Sequence, residues 1–284
     1  MEHRYISPLR YPGGKAKLLG YISRIISENN LDDGVYVEPF AGGASVALGL
    51  LLNGIMKQII INDKDRSIYA FWHSILQQTD EFCALIQATP VTIESWKEQK
   101  NVQKDKNDAD LLALGFSTFF LNRTNRSGIL NAGIIGGINQ KGQYKIDARY
   151  NKQELIERIR TISGFRDRIS VLNQDAVDLL TTLDWNQFGD KVFIYLDPPY
   201  YVKGKNLYLN YYRDNDHKGI ADILSKSTGF KWAVSYDNVD FIQKLYKEFR
   251  CSQFQLNYSA NNSGKGNEIM FYSNDLIIPN SAII

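Results

Sequence analysis

The chain has 284 residues, 44% of them hydrophobic, and a formal net charge of +2. That is enough for one sizeable core with a smaller insert, and it excludes a polyanion binder that works through a global field. Two cysteines, Cys83 and Cys251, match no metal spacing, the N-terminus lacks a signal-peptide core, and no apolar run is long enough to span a bilayer. A cytoplasmic protein with reduced thiols, no metal and no membrane association is therefore expected. Aromatic content is high, with 17 Tyr and 14 Phe, which favours binding surfaces because a ring gives large contact area at low entropic cost.

In chain order, PLRYPGGKAKLL (8–19) reads as a turn at Pro12, Gly13 and Gly14, with Lys15 opening a helix. By itself it reads as an ordinary helix start with a solvated lysine. VYVEPF (35–40) is a strand, followed by a glycine turn and helical spacing in AGGASVALGLLLNG. QIIIND (58–63) is a buried strand ending in Asp63, with a helix over RSIYAFWHSILQQ. RISVLNQDAVDLL (168–180) is a strand and a short helix, and KVFIYLDPPY (191–200) is a strand ending in a stiff acid–proline–proline–tyrosine step. FKWAVSYDN (230–238) precedes a helix over VDFIQKLYKEF, and NEIMFYSN (267–274) is a late strand beside QFQLNY (253–258). Continuous apolar strands alternating with helices predict an α/β fold with a doubly wound, mostly parallel sheet, and in such sheets ligands sit beyond the strands' carboxyl ends. No internal repeat is present. The alternation breaks between about 73 and 164, a helical, polar and then glycine- and asparagine-rich region. We read 73–164 as a second domain inserted into a first one made of 1–72 and 165–284.

Three sites at strand ends could carry chemistry. Glycines after a strand let a ligand approach the backbone, although the dinucleotide pattern G-x-G-x-x-G is absent around Glu38. A carboxylate there suits a cationic or amino-bearing ligand better than a pyrophosphate. Asp63, at the next strand end, stands where an acid typically takes the two hydroxyls of a ribose, so the pair favours a nucleoside-bearing cofactor over a simple turn. Asp197-Pro198-Pro199-Tyr200 offers an anionic acceptor, the Pro198 carbonyl and a ring. Together these can grip an amino group on a flat base. The chain's histidines, His3, His73 and His217, form no metal or nucleophile pattern.

RYPGGK (10–15), EPFAGG (38–43), IINDKD (60–65) and DPPY (197–200), in that order, resemble the Dam-type (α-group) DNA adenine-N6 methyltransferases. FLNR (120–123), read as the start of the DNA-reading loop, VSYDN (234–238) and NEIMFYSN extend the resemblance over nearly the whole chain. It implies S-adenosyl-L-methionine as cofactor, S-adenosylhomocysteine as product, a Rossmann-like sheet with an antiparallel C-terminal strand, and a target-recognition role for the insert. Tyr11 and Lys15 would line the cofactor site. Glu38, Phe40, Gly42 and Gly43 would hold the methionine and ribose portions, and Asp63 the ribose hydroxyls. Asp197 would lie between cofactor and target. Asp175 is added as an adenine-ring contact, with a helix N-cap for AVDLL as the equal alternative.

No covalent enzyme intermediate is needed. Asp197 and the Pro198 carbonyl would draw the adenine amino group toward tetrahedral geometry, and a flipped base would stack on Tyr200. Tyr201 is left unassigned, with packing beneath the loop as its simplest role. Double-stranded DNA would be met by Arg123, Asn125, Arg126, Asn131, Lys141, Lys145 and Arg149, and by a closing loop bearing Lys203 and Lys205. TNRSGILNAG carries Asn131 where members that read GATC have arginine, so the target sequence stays open. A cytosine-C5 enzyme needs a nucleophilic cysteine, usually after proline, and Cys83 follows Phe82 while Cys251 follows Arg250. Methylation of cytosine N4 or of RNA, or a catalytically silent DNA-binding relative, are the alternatives. The resemblance further implies bacterial or phage origin and a cognate restriction endonuclease acting on the same site.

Overall fold

The computed structural model describes residues 6–10, 15–202, 212–227, 229–257 and 265–283. Tyr11, Lys203 and Lys205, with the loop after DPPY, lie outside the described residues. In chain order the elements are α1 (Leu19–Glu28), β1 (Val35–Glu38), α2 (Ser45–Leu52), β2 (Gln58–Asn62), α3 (Arg66–Gln77), α4 (Thr79–Ala88), α5 (Ile93–Lys104), α6 (Leu111–Thr124), α7 (Lys152–Ser163), β3 (Ile169–Leu172), α8 (Ala176–Thr182), β4 (Val192–Leu196), α9 (Asp214–Lys226), β5 (Lys231–Asp237), α10 (Asp240–Leu245), β6 (Arg250–Asn257) and β7 (Lys265–Tyr272).

The chain forms two compact units. One is Met1–Tyr5, Lys15–Asp63 and Gln174–Ile284, and the other is Ile6–Gly14 and Lys64–Asn173. In the first, the strands run in the order β2-β1-β4-β5-β7-β6. β1 is parallel to β2 and β4, β4 is parallel to β5, and β7 is antiparallel to both β5 and β6. This is the expected doubly wound, mostly parallel α/β sheet with a reversed C-terminal strand. β1 and β4 are buried along their whole length, because a parallel sheet covered on both faces admits only apolar runs. The strand order turns back between β1 and β4, so a crevice opens beyond their carboxyl ends. Glu38 ends β1 and Asp197 directly follows β4, so both reach that crevice from a rigid base.

α10 is shorter than the helix read over 239–249. Tyr246 and Phe249 turn inward instead, where Tyr246 stacks on Phe271 at 4.8 Å and Phe249 meets Trp232 edge-on at 4.9 Å. Burying Tyr246 and packing the half-buried Phe249 outweigh one more exposed helical turn.

The second unit is helical, with β3 as its strand. Phe71 of α3 stacks on Phe119 of α6 at 6.1 Å and 5°, and Phe82, Phe116, Phe120 and Tyr150 complete the aromatic core. Gly115 permits that packing, because a Cβ there would lie 2.5 Å from the Ala70 carbonyl oxygen. FLNR, read from sequence as the start of a loop, is instead the last turn of α6. Among the described residues no helix is long and apolar enough to cross a membrane.

Candidate active site

The first cluster forms where β1 and β2 end. α2 begins after Ala44, whose backbone is left-handed (φ 46°) and whose side chain caps nothing. Glu38 fills that need from the preceding strand: its Oε1 accepts the Ala47 N–H at 3.0 Å and the Tyr36 hydroxyl at 3.0 Å. Glu38 is buried, 6% exposed, and no cation pairs with it among the described residues. Burial, seconded by the charge of Asp197, pushes its carboxyl up to about 8, against the two hydrogen bonds that favour ionisation. Asp63, half-buried, accepts the Gly42 N–H at 3.0 Å and so pins the glycine turn that continues through Gly43. The Phe40 ring meets Tyr212 edge-on at 5.5 Å. Asp175 caps α8, accepting the Val177 N–H at 2.9 Å, which is the alternative role the sequence offered it. Asn62, which the sequence reading passed over, is fully buried. Its amide donates to the Pro39 and Gln174 carbonyls at 2.9 and 3.1 Å, and its oxygen accepts the Gln174 N–H at 2.9 Å. It ties the turn after β1 to the segment that carries Asp175.

The second cluster gathers around Asp197. Lys15 is 6% exposed, so the solvated lysine expected of an ordinary helix start is not what forms. Its ammonium lies 3.0 Å from Asp197 Oδ1 and 3.4 Å from Glu268 Oε2, and it donates a short hydrogen bond to the Tyr200 hydroxyl. An unpaired ammonium could not be buried here, and the two carboxylates make its burial tolerable. The Tyr200 hydroxyl donates to Glu268 Oε1 at 2.6 Å, and its ring lies 4.8 Å from the Lys15 nitrogen. Glu268, on β7, was missed by the sequence reading. It is 1% exposed, and burial, then Asp197, pushes its carboxyl above the usual range against the pull of Lys15.

Asp197 is held from a second side. Ser235 on β5 donates to Oδ1 at 3.1 Å and itself shares a 2.7 Å hydrogen bond with the Tyr195 hydroxyl. Oδ1 is thus committed, whereas Oδ2 accepts no hydrogen bond among the described residues, and the side chain is 25% exposed. Pro198 is buried and Pro199 half-buried. Beyond them Asp237, at the end of β5, accepts the N–H groups of Tyr201 and Val202, each at 2.9 Å. Tyr201 stacks on Phe241 at 4.6 Å and 20°. The acid–proline–proline–tyrosine loop is therefore fixed at both ends.

The basic loop lies in the second unit. Asn122 at the end of α6 exchanges hydrogen bonds with the Arg10 backbone, at 2.7 and 2.8 Å, and holds the Gly128 carbonyl at 2.8 Å. Gly128 has φ 76°, and a Cβ there would sit 2.2 Å from the Arg10 carbonyl oxygen, so no other residue fits. Asn125 is fully buried: its oxygen accepts the Trp96 indole N–H at 2.7 Å, and its amide donates to the Ile129 and Leu130 carbonyls at 3.0 and 2.8 Å. Its oxygen is taken by α5 and its amide by the loop, so it presents no edge to a base. Arg123 is half-buried and donates to the Arg149 and Pro8 carbonyls at 2.6 and 3.3 Å. Burial, then the charges of Arg10 and Arg158, lowers its guanidinium to about 10. Arg126, Asn131, Lys141, Lys145 and Arg149 are exposed. Lys145 donates to the Gln140 and Gly142 carbonyls at 2.6 and 3.1 Å. Among the described residues no three His, Cys, Asp or Glu side chains cluster as a metal site would require.

Known proteins supply an independent comparison. Residues 11–259 match the family model for D12 class N6 adenine-specific DNA methyltransferases. The chain is 26% identical over 266 residues to the type II methyltransferase M.MjaIII of Methanocaldococcus jannaschii, covering 85% of this chain and 88% of that protein. It is 26% identical over 313 residues to the modification methylase StsI of Streptococcus sanguinis, covering 95% of this chain and 43% of that protein. Among solved structures, the precorrin-6y C5,15-methyltransferase of Geobacter metallireducens GS-15 is similar at a TM-score of 0.33 and 9% identity, covering 88% of this chain and 85% of that one. The motifs in chain order, the acids at adjacent strand ends and a family match spanning most of the chain converge, and the chain belongs to the D12 class N6 adenine-specific DNA methyltransferases.

Proposed function

We propose that the protein transfers the methyl group of S-adenosyl-L-methionine, leaving S-adenosylhomocysteine, to the N6 amino group of an adenine flipped out of double-stranded DNA at a specific site. Asp197 carries the reading: it stands at the carboxyl end of β4 with Oδ1 locked by Lys15 and Ser235 and with Oδ2 uncommitted. The adenine amino group is a poor nucleophile because its lone pair is delocalised. Asp197 Oδ2 and the Pro198 carbonyl accept its two N–H bonds, which localises the lone pair. The carboxylate also offsets the positive charge that grows on nitrogen. Locking Oδ1 pre-orients the other oxygen, so little reorganisation is left for the reaction. Tyr200 offers the ring on which the base stacks.

The chemistry of the first cluster fits the cofactor. A buried carboxyl with no cation of its own suits a cationic ligand, and a half-buried acid at the neighbouring strand end suits a ribose diol. Glu38 would hold the amino-acid portion and Asp63 the hydroxyls, beside Phe40, Gly42 and Gly43, with Lys15 and Asp197 beyond. Tyr11 belongs to the same proposal from its motif. When bound, the group supplies an electrophilic methyl on a positively charged sulfur. Asp175, whose carboxylate caps α8, stays in the proposal as a contact to the adenine ring of the cofactor.

The insert 73–164 is the target-recognition domain of this proposal. Arg126, Asn131, Lys141, Lys145 and Arg149 supply exposed groups for phosphates and base edges, and Lys203 and Lys205 would add to them from the loop after the motif. Arg123 and Asn125 act there by shaping the loop. A cognate restriction endonuclease acting on the same site, in a bacterial or phage-infected cytoplasm, belongs to the same proposal from the motif resemblance alone.

The test is to incubate plasmid with the protein and S-adenosylmethionine, then digest to nucleosides. N6-methyladenine is expected. Asp197→Ala should abolish it while calorimetric cofactor affinity stays within a few-fold. Transfer that survives in Asp197→Ala sinks the assignment.

A further inference from the structure

Methylating an amino group leaves a proton to be disposed of. Asp197, Lys15, Tyr200 and Glu268 form a chain of one ion pair and two hydrogen bonds that leads away from Asp197 into the protein. Lys15 lies 3.0 Å from Asp197, donates to the Tyr200 hydroxyl, and that hydroxyl donates to Glu268 at 2.6 Å. Two carboxylates share one ammonium, and no second cation pairs with either among the described residues. The cluster therefore carries one negative charge too many for a site so buried, at 5%, 25% and 1% side-chain exposure for Lys15, Asp197 and Glu268. Among the described residues Glu268 Oε2 makes no hydrogen bond, and the ammonium lies 3.4 Å from it. We propose that Glu268 is the terminal acceptor of the proton released from the adenine amino group, reached through Asp197, Lys15 and Tyr200. The inference rests on the reading of Asp197 given above.

The step balances. The amino nitrogen's lone pair forms the N–CH3 bond while the S–CH3 bond breaks, and that bond's electron pair stays on sulfur, which becomes a neutral thioether. The nitrogen, now positive, gives one of its two original protons to Asp197 Oδ2. Lys15 passes a proton to the Tyr200 oxygen as the Tyr200 hydroxyl proton moves to Glu268 Oε1, and Lys15, now a neutral amine, is refilled once the neutral Asp197 carboxyl turns to bring its Oδ2 proton to the nitrogen. Asp197, Lys15 and Tyr200 end as they began, and Glu268 ends neutral. One positive charge vanishes at sulfur and one negative charge vanishes at Glu268, so the buried site keeps its net charge through the reaction.

The groups facing Glu268 suit that role. From outside its own strand, Lys15 favours the anion, Asp197 opposes it, and Tyr200 supports it by hydrogen bond. Tyr195 on β4 is neutral, its hydroxyl pushed well above its usual range by burial and by Asp197. Asp237, the register partner of Glu268 on β5, is engaged with the N–H groups of Tyr201 and Val202. The partner on β6 is Phe254. Burial raises the Glu268 carboxyl and makes it a better base than an exposed glutamate.

The test compares wild type with Glu268→Gln, which keeps an acceptor for the Tyr200 hydroxyl but cannot take a proton. The single-turnover methyl-transfer rate should fall by about 100-fold, with DNA and cofactor affinities within a few-fold. The wild-type rate should have an acidic limb above the ordinary carboxylate range, and in Glu268→Gln that limb should move down into it. Independently of activity, infrared difference spectra of the free protein across pH should show two protonated-carboxyl bands titrating above that range, one lost in Glu38→Gln and the other lost in Glu268→Gln. Should Glu268→Gln fail to fold, the infrared titration of wild type and the rate of Tyr200→Phe, which cuts the chain at one oxygen, decide the matter. A Glu268→Gln or Tyr200→Phe rate equal to wild type overturns the relay and sends the proton from Asp197 to water. So does a slow Glu268→Gln with an unmoved limb, which marks a structural role only, and so does a missing band. These outcomes leave the reading of Asp197 intact as long as Asp197→Ala is inactive. Activity in Asp197→Ala would instead overturn that reading, and the relay with it.

Discussion

Replacing Glu38 by Gln should shift stability progressively in the variant's favour as pH rises. The glutamine carbonyl can still accept from the Tyr36 hydroxyl and the Ala47 N–H, as Glu38 Oε1 does at 3.0 Å each. The carboxyl is raised by burial from 4.5 to about 8. A group raised on folding contributes stability that is fully present below 4.5 and is lost as pH climbs through 8. At about 1.4 kcal/mol per tenfold change in proton affinity, the whole gap corresponds to about 5 kcal/mol, of which about 1 is lost by pH 5, about 3 by pH 7 and about 4 by pH 8. Glutamine does not titrate, so its own burial cost is a constant offset. The difference in unfolding free energy between Glu38→Gln and wild type should therefore grow by about 3 kcal/mol from pH 5 to pH 8, read from urea midpoints and slopes at each pH. Titrating groups common to both proteins cancel. A difference that stays flat over that range would mean Glu38 is already ionised in the resting protein, and the burial reasoning would fail.

The same carboxyl gives a binding prediction. At pH 7 Glu38 is mostly protonated, so a cation that needs it ionised should release about 0.9 proton on binding. Calorimetry with S-adenosylmethionine in two buffers of different ionisation enthalpy measures this, and Glu38→Gln should release none. Lys15→Met removes the ammonium between Asp197 and Glu268 and should destabilise by roughly 3–5 kcal/mol near neutral pH. That deficit should shrink toward pH 4.5 as Glu268, held above its usual range, takes a proton instead, and a pH-independent loss would refute the pairing. Asn125→Ala strands the Trp96 indole and two carbonyls and should cost about 3 kcal/mol, checked by chemical denaturation. Arg126→Ala and Lys141→Ala, both exposed, should leave the melting temperature unchanged but lower the salt dependence of DNA binding by about one phosphate contact each. Equal salt slopes in wild type and variants would remove these two residues from the interface.

The sheet was legible because its signals are local. An apolar run such as Gln58–Asn62 can only be a strand buried on both faces, and in a doubly wound sheet its end must open toward ligand. That one rule locates Glu38, Asp63 and Asp197 without any contact being known. The end of α6 was misread for an equally physical reason. FLNR carries Asn122, a poor helix former that suggests a loop, yet its amide is used up by Arg10 and Gly128, so tertiary bonds hold the turn that propensity disfavours. Asn125 went astray in the same way. An asparagine in a basic, glycine-bearing segment reads as a base contact, but burial turns its amide toward the backbone carbonyls of its own loop.

Glu268 and Lys15 show where a strand-end rule stops. Neither sits at the carboxyl end of a parallel strand, and they are 253 positions apart along the chain. The signal was present in NEIMFY, because a carboxylate inside an otherwise apolar strand must have a partner, charged or hydrogen-bonding, or lose its charge. What the sequence could not name was that partner. The antiparallel register of β7 sets Glu268 opposite Asp237, the last residue of β5 and so at its carboxyl end. Reversing β7 thus delivers a side chain from near the start of a strand to the edge where the parallel strands finish. An acid on an antiparallel strand in such a sheet should be counted from its opposite end, and on that count Glu268 belongs with Glu38, Asp63 and Asp197 from the outset. Its lysine follows from charge: two of these carboxyl groups, Asp197 and Glu268, share one buried site, and Lys15 is the buried cation that answers them, 3.0 and 3.4 Å away.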